Sequence, residues 1–182
     1  MLYTGKGDTG TTQVYGCNQR ISKSSATAEA LGAMDEINSF LGLAKVKAGQ
    51  SNITGARDLA LLVDSIQQHL FTIQAELAGF PMKTESKKVK EIEEVIATFE
   101  KELPPIKTFF VSGGTELAAL FDTARTIARR AERRVVAVHE EKVQTVSPET
   151  LAYLNRLSSV LYALARIANH RAGITESVPS YQ

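Results

Sequence analysis

Apolar residues return every three or four positions along this chain, and they do so in five separate stretches. From about Ala26 to Lys47 the stripe is Ala30, Met34, Ile37, Leu41 and Ala44. From about Arg57 to Ala78 it is Leu59, Leu62, Val63, Ile66, Leu70, Ile73 and Leu77. A third stretch, Ser86 to Glu102, turns Val89, Ile92, Ile96 and Phe99 one way and a dense Lys/Glu face the other. The fourth, about Thr115 to Glu140, carries Leu117, Leu120, Phe121, Ala124, Ala128, Ala131 and Val135. The fifth, Pro148 to Arg171, runs through Leu151, Leu154, Leu157, Leu161, Leu164 and Ile167. This period predicts an amphipathic helix with one buried stripe in each stretch.

The punctuation between the stripes agrees. Ser24 or Ser25 suits the first N-cap, and Ser147 with Pro148 behind it suits the last. Ala48 to Asn52 reads as a loop. Gly79-Phe80-Pro81 and Leu103-Pro104-Pro105 stop the second and third helices. The connector Lys107 to Gly114 is apolar for a loop, which suits a site or an interface. Five helices with short loops predict an all-α bundle. The expected division is one domain over residues 1–182: an N-terminal loop (1–24), a helix bundle (25–172) and a tail (173–182). A chain of 182 residues can bury one well-formed core.

Charge narrows the function classes. The formal net charge is only +1, so general affinity for nucleic acid or membrane is not expected. No apolar run approaches the roughly 18 residues of a membrane span, and the N-terminus lacks the pattern of a signal peptide. The single cysteine, Cys17, excludes an intramolecular disulfide and suits a reducing cytoplasm. His69, His139 and His170 have Ile66, Val136 and Ile167 three residues before them, so the Glu-x-x-His pattern of di-iron bundles is missing. Neither a Ser-His-Asp nor a Cys-His nucleophile set emerges.

The basicity that matters is local. Within Ala124 to Arg134, Arg125, Arg129 and Arg133 stack along one helix face, with Arg130 and Arg134 in a second row about 100° round. Like charges at this spacing repel by a few tenths of a kcal/mol per pair, and Glu132 alone sits among them. Such a face is either solvated or aimed at an anion, for which the planar guanidinium fork favours phosphate. Asp35 and Asn38 share a face of the first helix, where an acid could meet a basic row. At the N-terminus, residues 4–16 hold four glycines and four threonines, a loop rich in free N–H groups and hydroxyls. Gly5-x-Gly7-x-x-Gly10 fits the dinucleotide fingerprint in letters only, for no strand precedes it and no helix follows directly. A Walker A reading fails as well. A flexible turn and a phosphate cradle of another type both remain open.

Five pieces in order carry a resemblance: Tyr3-Thr4-Gly5-Lys6-Gly7-Asp8-Thr9-Gly10, Met34-Asp35-Glu36-Ile37-Asn38-Ser39, Ser112-Gly113-Gly114-Thr115, Arg125-x-x-x-Arg129-Arg130-Ala131-Glu132-Arg133 and Leu154-Asn155-Arg156-Leu157-Ser158. Together they resemble the PduO-type ATP:corrinoid adenosyltransferases over nearly the whole chain. The resemblance implies a five-helix bundle with ferritin-like up-and-down packing, an N-terminal loop that orders on binding, and a homotrimer with active sites between subunits. It implies transfer of the 5′-deoxyadenosyl group of ATP to the cobalt of cob(I)alamin, with Mg²⁺ accompanying ATP and a cobalamin reductase as a partner. Thr4, Gly5, Lys6, Gly7, Asp8, Thr11 and Thr12 would hold the phosphates, with Lys23 approaching them. Arg129, Arg130, Glu132, Arg133 and Asn155 would complete the nucleotide site. Asp35 would pair with Arg125 and help place the corrinoid, and Arg125 and Arg129 would act in catalysis. Phe109 would lie against the corrin and exclude the lower axial ligand. The rival readings are a non-catalytic helical oligomer and a phosphate- or nucleic-acid-binding module built on the Arg-rich helix.

Overall fold

The computed structural model describes residues 2–14 and 19–181. It is helical: α1 Ala26–Gln50, α2 Ala56–Leu77, α3 Ser86–Glu102, α4 Glu116–Glu140 and α5 Pro148–Arg171. Two short strands, β1 Thr11–Gln13 and β2 Arg20–Ser22, precede them. Cys17 lies outside the described residues.

The expected stripes form the core. Met34, Ile37, Leu41, Leu70, Ile73, Phe121, Leu154, Leu157 and Leu161 are sealed from solvent in one cluster to which all five helices contribute. Each such side chain stabilises the fold by roughly 1.5–3 kcal/mol relative to exposure. α1 packs on α2 and α4, α4 on α5, and α5 on α3, so the helices follow the spatial order α2, α1, α4, α5, α3. Ion pairs fix directions: Lys47 meets Glu116 while Glu29 meets Arg134, so α1 and α4 are antiparallel. Glu93 meets Arg156 and Glu102 meets Arg171, so α3 and α5 are parallel. The path is up-down-up-down-up.

Helix ends obey their caps. Ser25, rather than Ser24, caps α1 by accepting from the Ala28 N–H, and Ser147 caps α5 with Pro148 in its first turn. Thr115 is the cap of α4 and not its first residue. Two expectations change. α1 runs on to Gln50 through the stretch expected to be a loop, because Ala48 is buried and holds one more turn against the core. The Gly/Thr region contains an antiparallel pairing, Thr11↔Ser22, Thr12↔Ile21 and Gln13↔Arg20, where a plain loop was expected. Three-residue strands have too few positions to show an alternating pattern. The tail is anchored too: the Val111 N–H donates to the Ser177 carbonyl at 2.8 Å. No helix among the described residues is long and apolar enough to cross a membrane.

Candidate functional site

α4 buries its alanines and presents its arginines. Ala124, Ala128 and Ala131 are fully enclosed, which brings the helix close to its neighbours and leaves Arg125 and Arg129 at the rim of an open groove. This groove, about 610 Å³, lies between α4, Ser158 and Tyr162 of α5, and the connector at Phe109 and Phe110. Phe109 is 77% exposed, a large ring with no intramolecular reason to be there. Arg125 is steered from two sides. Its Nε donates to Asp122 Oδ1 at 3.3 Å, and its guanidinium lies 5.9 Å from the centre of the Tyr162 ring. Burial pushes the Tyr162 hydroxyl above its ordinary pKa. Arg133 donates through Nη1 to the Arg129 backbone carbonyl at 3.2 Å, which holds the Arg133 guanidinium along this flank of α4.

The second arginine row points elsewhere. Arg130 pairs with Glu36 and Arg134 with Glu29, both on α1. The acids that meet a basic row within the chain are therefore Glu36 and Glu29. Asp35, one residue from Glu36 and so about 100° round α1, faces the α2 side. Glu132 accepts from Asn155 Nδ2 at 3.1 Å, joining α4 to α5.

The N-terminal loop is held by its own donors. Gly5 and Gly10 have φ of +67° and +80°, the left-handed region open to glycine at little cost. Their turns are closed by Asp8 N–H to the Gly5 carbonyl and Gly10 N–H to the Gly7 carbonyl. Arg20 clasps the two sides: Nη2 donates to the Lys6 carbonyl at 2.6 Å and to the Thr11 carbonyl at 2.9 Å, and Nε to Thr11 Oγ1 at 2.9 Å. Lys23 Nζ lies over Gly7, 3.2 Å from where a Cβ would stand. Lys6, Gly7, Thr11 and Lys23 are thus gathered into one hairpin, while Thr4, whose Oγ1 accepts from the Lys6 N–H at 3.4 Å, closes its start. Thr12 turns toward α1.

Asp35 and Thr12 line a different groove, about 670 Å³, between the hairpin, α1 and α2, with Phe71 and Phe80 on its far wall. Within one chain, then, the expected residues fall into two separate groups on opposite flanks of the α1/α4 pair. One holds Phe109, Arg125 and Arg129; the other holds Asp35 and the Gly/Thr hairpin. The expected Asp35–Arg125 pair does not form inside the chain, because the two residues line different grooves on either side of the α1/α4 pair.

Sequence reading passed over Asp122, Tyr162 and Arg20. Asp122 was findable, three residues before Arg125 on one helix. Tyr162 and Arg20 depend on which elements meet and carry no local signal. The histidines are accounted for differently: His69 is buried, its Nε2 3.2 Å from Thr84 Oγ1 and its ring 4.3 Å from that of Tyr153. Burial first, and then Lys88, holds its pKa below the ordinary 6.5. Among the described residues no cluster of three or more His, Cys, Asp or Glu could hold a metal ion.

Comparison with known proteins bears on this geometry. A family model described as cobalamin adenosyltransferase matches residues 2–168. A corrinoid adenosyltransferase from Bacillus subtilis is 41% identical over 180 residues, covering 95% of this chain and 89% of that protein. The corrinoid adenosyltransferase PduO of Citrobacter freundii is 36% identical over 94% of this chain, which spans 50% of that longer protein. A solved structure of a phenylalanine-to-alanine variant of the PduO-type ATP:corrinoid adenosyltransferase from Lactobacillus reuteri, complexed with cobalamin and ATP, superposes with a TM-score of 0.89. It is 31% identical and the alignment covers 98% of this chain and 99% of that one.

Proposed function

Because this chain belongs to the cobalamin adenosyltransferase family, we propose that it transfers the 5′-deoxyadenosyl group of ATP to the cobalt of cob(I)alamin, and that its two half-sites are completed across subunits. The observation that carries the reading is the open groove, in which an exposed phenylalanine stands beside two guanidiniums. An apolar wall next to two cations suits a flat tetrapyrrole meeting a polyphosphate.

The chemistry needs no protein nucleophile. Cobalt(I) supplies the electron pair for the new Co–C5′ bond, and the C5′–O bond breaks with its pair going to triphosphate. Negative charge gathers on the leaving oxygens, where preorganised guanidiniums and loop N–H groups stabilise it as it develops. Arg129 and Arg133 are the cations disposed for this, with Arg125 steered by Asp122 toward the reacting centre. Thr4, Gly5, Lys6, Gly7, Asp8, Thr11 and Thr12 form the cradle for the phosphates, Lys23 adding its charge from above Gly7. Glu132 and Asn155, already bonded to one another, offer a carboxylate and an amide to the nucleoside. Arg130 joins the nucleotide site only by leaving Glu36, an exchange of one exposed partner for another that costs little. Mg²⁺ would arrive with ATP; Asp8 and the threonine hydroxyls are hard oxygen donors of the kind it takes. Phe109 covers the lower face of the corrin.

The half-sites suggest the assembly. Asp35 and the hairpin of one subunit would meet Arg125, Arg129 and Phe109 of its neighbour, which a closed cyclic trimer provides three times over. Cob(I)alamin is strongly reducing, which suits a cytoplasmic protein working beside a cobalamin reductase. The nucleic-acid alternative leaves the ordered Gly/Thr hairpin and the exposed Phe109 without a purpose. Anaerobic incubation with ATP, Mg²⁺ and chemically reduced cob(I)alamin tests the activity. Protein-dependent conversion to a light-sensitive alkylcobalamin with release of triphosphate is expected. ATP binding without conversion would contradict the reading.

A further inference from the structure

One side chain near the groove is buried without a role in the scheme above. Arg166 of α5 is 4% exposed, a costly place for a guanidinium unless it is fully engaged. Its Nε donates to Glu176 Oε2 at 2.9 Å, its Nη2 to the Pro104 carbonyl at 3.2 Å, and its plane lies 4.9 Å from the centre of the Phe110 ring. These contacts reach two segments: the α3–α4 connector, at its start and at the residue next to Phe109, and the C-terminal tail. A main-chain bond from the Val111 N–H to the Ser177 carbonyl closes the same loop one residue beyond Phe110. Arg166 also borders a cavity of about 500 Å³ that shares Ile106, Ser159 and Tyr162 with the Phe109 groove.

Without such a tie the connector would have little to hold it. Lys107, Thr108 and Phe109 are exposed, and no helix or strand includes them. The ring of Phe109 can exclude a ligand from one face of a metal only if its backbone is fixed. The Arg166–Glu176 pair supplies the fixing contact from beneath, and it is shielded from solvent, so losing one partner strands the other charge.

We propose that Arg166 is a positioning residue for the corrinoid: it locks the Phe109-bearing connector and the C-terminal segment together into one wall of the groove. This rests on the reading that Phe109 faces the corrin. Arg166 touches neither the nucleotide loop nor the α4 arginines, so its loss acts on one substrate only.

The test compares Arg166→Met, which keeps length and apolar contact with Phe110, with Glu176→Gln and with Phe109→Ala as reference. Steady-state KM is measured for cob(I)alamin and for ATP, and the four-coordinate fraction of bound cob(II)alamin is read spectroscopically in the presence of ATP. Arg166→Met is expected to raise the cob(I)alamin KM about tenfold and lower the four-coordinate fraction, the ATP KM staying within about twofold. Glu176→Gln moves both in the same direction by less, and it carries the test if Arg166→Met does not fold. Unchanged corrinoid KM and four-coordinate fraction in the variants that fold, or an equal rise in both KM values, would overturn the proposal while Phe109→Ala still lowers the four-coordinate fraction. A silent Phe109→Ala would instead overturn the assignment of Phe109 and the wall with it.

Discussion

Glu76 is where the bundle can be tested most severely. It sits on α2, 2% exposed, and its carboxylate serves the start of α5: Oε1 accepts the Ser147 N–H at 2.7 Å, and Oε2 accepts the hydroxyls of Ser147, at 3.2 Å, and Thr150. The line continues from Thr150 to Thr84 at 2.6 Å and on to His69. Since the carboxylate can only accept, Thr150 donates to it, Thr84 donates to Thr150, and His69 donates through Nε2–H. Glu76→Ala strands the buried Ser147 N–H and removes acceptors from two hydroxyls. Hydrogen bonds to a charged group are each worth roughly 1.5–3 kcal/mol, and the hydroxyls can recover part by turning to other partners. The net cost is about 3–5 kcal/mol, and at about 2–4 °C per kcal/mol for a chain this long the Tm falls by roughly 6–20 °C. Glu76→Gln should cost only about 1 kcal/mol. Its amide oxygen keeps the Ser147 N–H while its NH₂ donates to the hydroxyls. The whole line then reverses, ending with Thr84 donating to a His69 that carries its proton on Nδ1. Thermal and urea unfolding give the energies, and the imidazole nitrogen shifts give the tautomer. A Glu76→Gln variant as unstable as Glu76→Ala, with the His69 tautomer unchanged, would refute the hydrogen-bond account and leave charge as the operative quantity.

Three other outcomes follow from the geometry. Arg129→Ala should reduce turnover by roughly 10²-fold or more with helix content unchanged, the scale of losing one transition-state donor; turnover within about twofold of the parent would remove Arg129 from the site. Because burial, then Lys88, lowers the His69 pKa, with Glu91 and Glu85 opposing, the unfolded chain takes up that proton first as pH falls below 6.5. Stability therefore drops on acidification through that range, and His69→Gln should flatten the Tm profile between about pH 7.5 and 5.5. Gly114→Ala should destabilise by about 2 kcal/mol or more, since φ is +98° and a Cβ would stand 2.4 Å from Asn169 Oδ1, the atom that accepts from the Thr115 N–H at the start of α4; a Tm equal to the parent's would contradict it.

The helices were legible because each buries a stripe that repeats with the helical period, and the ends of α3 and α5 were marked by Pro104-Pro105 and by Ser147-Pro148. What escaped was non-local. The β1/β2 pairing rests on partners seven to eleven residues apart in the chain, with no alternating apolar pattern to announce it. The first helix shows how narrow the margin is at a site: Glu36 meets Arg130 while Asp35, next to it, faces the α2 side. The proposed joining of Asp35 and Arg125 through a second copy came from the family resemblance, for no local pattern in the chain announces it. The tail anchored by Glu176 and Ser177 is of the same kind, a few residues whose partners lie on α5 and the connector.

That joining is the central claim, and mixed oligomers test it most directly. Asp35→Ala and Arg125→Ala proteins would be assayed alone and after co-assembly in equal amounts. If each site takes Asp35 from one subunit and Arg125 from the next, both variants are nearly inactive alone, and roughly one site in four is intact in the mixture. Recovery of about a quarter of the parent's turnover is the predicted result. A mixture no more active than the two variants separately would contradict a site shared between subunits.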